Sequence, residues 1–126
     1  MKKMSLGLAL VLCGCGGNSL DGKWKGTVSG WEMTLEAQEV AESSGTTAFT
    51  GTASTNKPAC FNNGALTGTL VKTSASLIAT GSGSASSTTF LKVDGEVSGG
   101  TLTGFVEVIG DGECSVPRSA VTFTKQ

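Results

Sequence analysis

Five stretches of the chain repeat one arrangement: an apolar residue, a spacer, a glycine, a spacer and a second apolar or small residue. They are Trp24-Lys25-Gly26-Thr27-Val28, Phe49-Thr50-Gly51-Thr52-Ala53, Leu66-Thr67-Gly68-Thr69-Leu70, Val93-Asp94-Gly95-Glu96-Val97 and Leu102-Thr103-Gly104-Phe105-Val106. In an extended strand side chains alternate between two faces, so each glycine shares the inner face with its apolar flanks. Glycine inside a strand costs stability, and its repeated use there points to sharp bending of the sheet or to close approach of a backbone or ligand. Five strands bent alike predict a small closed barrel, with a β-sandwich as the alternative. Small inward residues are compatible with a cavity, yet eight-stranded barrels are often filled by their own side chains; the filled interior is the expectation.

Alternation and turn signals divide the chain into about eight short strands, an all-β antiparallel meander. The predicted strands are Trp24–Val28, Trp31–Ala37, Thr47–Ala53, Ala65–Val71, Ser76–Thr80, Thr89–Val97, Thr101–Ile109 and Ser119–Thr124. Glu32 to Glu42 holds helix-forming residues, but Trp31, Met33, Leu35 and Ala37 alternate with Glu32, Thr34 and Glu36, a strand period. Ser29-Gly30 and Gly99-Gly100 are the predicted tight turns. Glu39 to Gly45, the Cys60 loop, the Ser/Gly run 81–87 and Gly110 to Pro117 are the predicted longer connections. In a meander, alternate connections gather at one end. Ser29-Gly30, the Cys60 loop, the 81–87 run and the Cys114 loop would therefore share the end opposite the start of the first strand.

Ahead of this domain stands a segment with the three parts of an export signal, expected to be helical. Lys2 and Lys3 are its positive start, Met4 to Leu12 an apolar run too short to span a bilayer, and Gly14 a small residue before a cut. Leu12-Cys13-Gly14-Cys15 resembles the lipobox of bacterial lipoproteins. The resemblance implies a signal peptide over 1–14, Cys15 as the acylated first residue of the mature chain and a lipidated tether over 15–20, ahead of the barrel expected over 21–126. It also implies lipid (palmitate) anchoring, and Gly16 in place of an inner-membrane-retaining Asp favours the outer membrane. Each buried methylene contributes about 0.8 kcal/mol, so two or three chains would hold the protein stably.

A mature chain of 112 residues, Cys15 to Gln126, has room for one domain. Losing Lys2 and Lys3 leaves seven basic against ten acidic residues, a charge of −3. That mild acidity, with no basic cluster, argues against nucleic acid and against binding anionic lipid through charge. Cys60 and Cys114 form an even pair in an exported domain and predict a disulfide. Closing a loop of that length would contribute about 4 kcal/mol in the chain-entropy model. A metal pair is the alternative, disfavoured by the absence of histidine. In a round barrel the two cysteine loops are far apart, so the bond requires a flattened barrel or loops that fold over the mouth.

Catalysis finds little support. Without histidine there is no Ser-His or Cys-His nucleophile, and both domain thiols are expected to be oxidised. Glu32 and Glu36 share a face, read as solvated outer surface. Asp111 and Glu113 lack the oxygen ligands of a calcium loop. No cofactor, no metal and no enzymatic activity are expected.

Gly22-Lys23-Trp24 resembles the G-x-W of lipocalin-like (calycin) barrels. The resemblance implies that Trp24 closes one barrel end and that a basic residue near the C-terminus stacks on it; Lys125 is placed to reach, whereas Arg118 lies at the other end. Ser82-Gly83-Ser84-Ala85 resembles part of a loop in small membrane-bound lysozyme inhibitors, which would carry a role to Ser84, although the aromatic that follows there is missing. Phe61, Ser82, Ser84 and Arg118 are the candidate ligand- or partner-binding residues. The expected function is a membrane-anchored exported binding module acting through the far loops or the barrel interior. A structural or surface lipoprotein without a discrete ligand is the alternative, and an inhibitor of a cell-wall lytic enzyme a remote one.

Overall fold

A computed structural model describes residues 19–126; the signal segment, Cys13 and Cys15 lie outside the described residues. Eight antiparallel strands follow one another around a closed barrel: β1 (Gly22–Val28), β2 (Trp31–Ser43), β3 (Thr46–Thr55), β4 (Asn63–Val71), β5 (Ser74–Gly83), β6 (Ser86–Ser98), β7 (Thr101–Ile109) and β8 (Val116–Lys125). The meander is complete, and β1 closes on β8 through Trp24 opposite Lys125 and Lys25 opposite Thr124. Closure pairs the strands around the body of the barrel, where an open sheet would have edges to protect; past Ala37, β2 pairs with β3 alone.

Every glycine of the repeat lies on the inner face, flanked by buried apolar side chains. The notches they leave are filled by neighbouring strands. A Cβ on Gly26 would stand 2.7 Å from the ring of Phe123, one on Gly95 3.1 Å from Leu102, and one on Gly68 would collide with Leu77. At Gly104 the obstacle is the Asp94 carbonyl of the adjoining strand, a backbone group that cannot swing aside. Glycine therefore serves here for close approach, and large side chains occupy the space it vacates. Trp24, Met33, Leu35, Leu66, Leu91, Leu102 and Phe123 are all essentially fully buried and form one continuous core. At about 1.5–3 kcal/mol for each large apolar side chain buried, this filling is the main source of stability.

Two predicted connections are strand instead. β2 continues past Ala37 to Ser43, with a bulge between Glu39 and Ala41, and only Ser44-Gly45 turns. Ser44 (φ 54°) and Gly45 (φ 84°) are both left-handed, as are Ser29 (φ 50°) and Gly30 (φ 81°). This is the two-residue hairpin geometry that matches the twist of flanking strands. The Ser/Gly run at 81–87 is likewise not a flexible loop. β5 runs to Gly83, a bulge shifts the register there, Ser84-Ala85 turns and β6 begins at Ser86. Ladder pairing overrides weak strand propensity in both places, from β3 alone along Gln38–Ser43 and from β4 and β6 at Gly81.

The end where β1 begins is closed from within. Leu20, last residue of the expected tether, is fully buried, and its carbonyl accepts a hydrogen bond from the Trp24 indole at 2.9 Å. The Lys125 ammonium lies 5.6 Å from the centre of the Trp24 ring, within the range of a cation–π attraction. Leu20, five residues after Cys15, is thus already part of the core.

Candidate functional site: the capped far end and the β5–β8 wall

The far end gathers the Ser29-Gly30 turn, the loop at 56–62, the Ser84-Ala85 turn and the loop at 110–115. The loop at 56–62 starts from a small hydrogen-bonded frame. Asn56 Oδ1 accepts the Glu32 N–H at 2.8 Å, and its Nδ2 donates to the Gly30 carbonyl at 3.2 Å. The Lys57 carbonyl then accepts the N–H groups of both Cys60 and Phe61, each at 2.9 Å, which curls the loop back over the mouth. Thr55 Oγ1 donates to the Phe61 carbonyl at 3.0 Å and accepts the Lys57 N–H.

Phe61 is the keystone of this cap. Expected as an exposed contact residue, it is instead fully buried, because the loop turns its ring down into the mouth. The ring occupies notches left by Gly64 and Gly81; a Cβ on Gly81 would come within 2.9 Å of it, and one on Gly64 would collide. Above the ring, Ala85 N–H donates to the Ala59 carbonyl at 2.7 Å and Asn62 N–H to the Ser82 carbonyl at 2.9 Å. The loop is thereby stitched to the β5–β6 hairpin.

From there Cys60 reaches Cys114, with Cα atoms 5.2 Å apart and 54 residues between them in sequence. Of the two geometries that permit this disulfide, the protein uses loops that cross the mouth. Thr89 Oγ1 donates to the Cys60 carbonyl at 2.9 Å and shares a 2.9 Å hydrogen bond with Ser86 Oγ, which accepts the Asp111 N–H at 3.1 Å. Ser86 and Thr89 are the only buried polar side chains among the described residues, and both are satisfied. Their hydroxyls hold the cap together. No reading of the sequence singled them out, since a serine and a threonine within a Ser/Thr-rich stretch carry no distinguishing signal.

The remaining candidates lie apart. Ser82 and Ser84 are exposed on the β5–β6 hairpin, Ser84 at its tip. Arg118 is on the outer wall, where its guanidinium carbon lies 4.6 Å from the centre of the Phe105 ring and its Nη1 3.4 Å from Asp94 Oδ2. Glu32 and Glu36 project from the outer face, Glu36 near Lys23 at 3.6 Å. Asp111 and Glu113 are exposed, and among the described residues no three metal-ligating side chains cluster. Shallow open grooves run along the outer wall, one beside Asp21, Ala37 and Glu39, another among Val71, Ser74, Phe105 and Arg118.

One carboxylate on the wall is perturbed. Thr73 Oγ1 and Ser74 Oγ donate to the two oxygens of Glu96 at 2.6 and 2.8 Å, and hydrogen bonds to the charged form hold its pKa below the ordinary carboxylate value. A carboxyl with a depressed folded pKa adds stability that is present above its unfolded pKa and lost as pH falls through the folded one. Replacing Thr73 by Val and Ser74 by Ala should move the Glu96 titration upward, read by carboxyl-carbon NMR. An unchanged midpoint would remove the two hydroxyls as the cause.

Compared with family models, curated proteins and solved structures, the chain matches none.

Proposed function

We propose that this is an exported lipoprotein, acylated at Cys15 and held on the outer membrane, whose barrel is a rigid binding module. Binding would use the outer wall and the capped far end rather than the interior. The observation that carries the surface reading is the filling of the barrel: Leu20, Trp24 and Lys125 close one end, Phe61 and the disulfide-tied loops the other, and Phe123, Leu77 and Leu102 fill the notches between. A carrier of small apolar ligands needs a concave space of several hundred Å³, and these side chains stand where it would be. The anchoring reading rests on the signal-like segment and on Leu12-Cys13-Gly14-Cys15.

The position of Leu20 supports the orientation. With so few residues between Cys15 and the buried Leu20, the Trp24 end faces the bilayer and the cap faces away. A second reading, a structural surface lipoprotein, is favoured by one observation: the cap's buried hydroxyls and its large aromatic all serve its own packing. The inhibitor reading rests on the exposed Ser84 alone.

Metabolic labelling with palmitate tests the anchor. The wild-type protein is expected to carry label and to fractionate with membranes, and Cys15→Ser to lose both. A wild-type protein that takes up no label would refute the lipoprotein reading.

A further inference from the structure

Among the described residues, six large apolar side chains are exposed: Val40, Val71, Ile78, Phe90, Phe105 and Ile109. Three of them, Phe90, Phe105 and Ile109, stand on the outer face of the single hairpin β6–β7, and Ile78 adjoins them on β5. Across that hairpin the register pairs Phe90 with Ile109, Lys92 with Glu107 and Asp94 with Phe105. Arg118 on β8 overhangs the last of these rows. The face therefore carries two cations, Lys92 and Arg118, and three anions, Asp94, Glu96 and Glu107, interleaved with apolar groups. Charges of both signs are interspersed, and the Lys92–Glu107 row in particular is complementary to itself.

We propose that two copies of this chain pair through the outer face of β6 and β7, about a two-fold axis running along the strands between them. A two-fold contact brings one surface patch against the same patch of the second copy. With the axis in this place, each residue of β6 faces the β7 residue that is its own register partner, on the other copy. Lys92 meets the second copy's Glu107 and Phe90 its Ile109, twice each. Asp94 comes opposite the second copy's Phe105 and the Arg118 that overhangs it.

A further observation favours this arrangement. Lys92 and Glu107 are neighbours in register, yet among the described residues neither takes part in an ion pair. Apposing a second copy would give each a partner in a partly dried setting. The same axis leaves both chain starts at one end, so the pairing suits two copies on one membrane without depending on it. A contact confined to the outer face of one hairpin belongs with weak, reversible pairings rather than with standard interfaces of roughly 800 Å² per partner.

The test is a charge exchange on the full chain in detergent, read by resonance energy transfer between donor- and acceptor-labelled copies. Detergent keeps the measurement independent of whether Cys15 is acylated, so failure of the anchoring reading would not be mistaken for failure of this one. Lys92→Glu alone and Glu107→Lys alone would each set like charges opposite one another twice, and each is expected to weaken self-association by about tenfold or more. A one-to-one mixture of the two variants would again oppose unlike charges and is expected to recover wild-type transfer. Retention of the Cys60–Cys114 bond and of the wild-type circular dichroism spectrum in both variants separates lost pairing from lost folding. The proposal is overturned if the wild-type chain shows no concentration-dependent transfer, if single reversals leave it unchanged, or if the mixture fails to recover it.

Discussion

Replacing Cys60 and Cys114 together by alanine is expected to lower the unfolding free energy by about 4 kcal/mol. The 54-residue separation makes the closed loop almost half of the barrel domain, so the bond removes a large number of conformations from the unfolded chain. A domain of this size is stable by about 5–15 kcal/mol in all, so the loss is a large fraction. The bond also joins two loops that cover the mouth, and its removal frees the cap to lift from Phe61. Urea unfolding of the wild-type and doubly substituted proteins measures the difference. A change below about 1 kcal/mol would mean that the hydrogen bonds from Thr89, Ala85 and Asn62 hold the cap unaided.

Phe61→Ala is expected to cost about 3–5 kcal/mol, the range for truncating a buried aromatic. The upper part of the range applies because the cavity has few ways to collapse. Two of its walls are Gly64 and Gly81, which have no side chain to relax into the space. Thr55 fixes the Phe61 carbonyl from below, and the disulfide holds the neighbouring residue in place. Val40→Ala, on an exposed side chain, should stay within about 0.5 kcal/mol and serves as the comparison. Combined with loss of the disulfide, the cost should fall short of the sum of the two, because both act on one cap. Equilibrium unfolding of the four variants closes that cycle, and strict additivity would contradict a single cooperative cap.

Much of the fold was legible before any tertiary information. Period-two alternation assigned the inward face of every strand in the repeat, including the glycines. Ser29-Gly30 and Gly99-Gly100 were identified as turns because left-handed backbone is cheapest there. The disulfide followed from an even cysteine pair, and the end at which it lies followed from counting connections in a meander. The G-x-W resemblance pointed to Trp24 and Lys125 at one end, where the two lie together; Arg118, expected at the far end, reaches instead along the outer wall to Phe105 and Asp94. The strands that ran long were less legible. The residues 81–87 read as loop by composition, yet Gly81, Ser82 and Gly83 are extended because β4 and β6 pair with that stretch and the 56–62 loop docks on it.

The candidate site was less legible than the fold, and Phe61 shows why. An aromatic in a loop next to cysteine reads equally as an anchor for a partner or as a plug, since local sequence does not record which way a loop folds. The notches that receive its ring come from Gly64 and Gly81, on two different strands. Ser86 and Thr89 were invisible for the same reason: their partners are a carbonyl and an amide from two separate loops.

The sequence by itself determined which strand residues point inward, the tight turns at 29–30 and 99–100, and an even cysteine pair, because side-chain alternation and turn geometry are properties of a few consecutive residues. Only the tertiary structure decided that the glycine notches are filled and that Phe61 faces in. It alone placed apolar groups and charges of both signs together on the outer face of β6 and β7. Those outcomes depend on the register between strands far apart in the chain, and register is a property of the closed barrel as a whole.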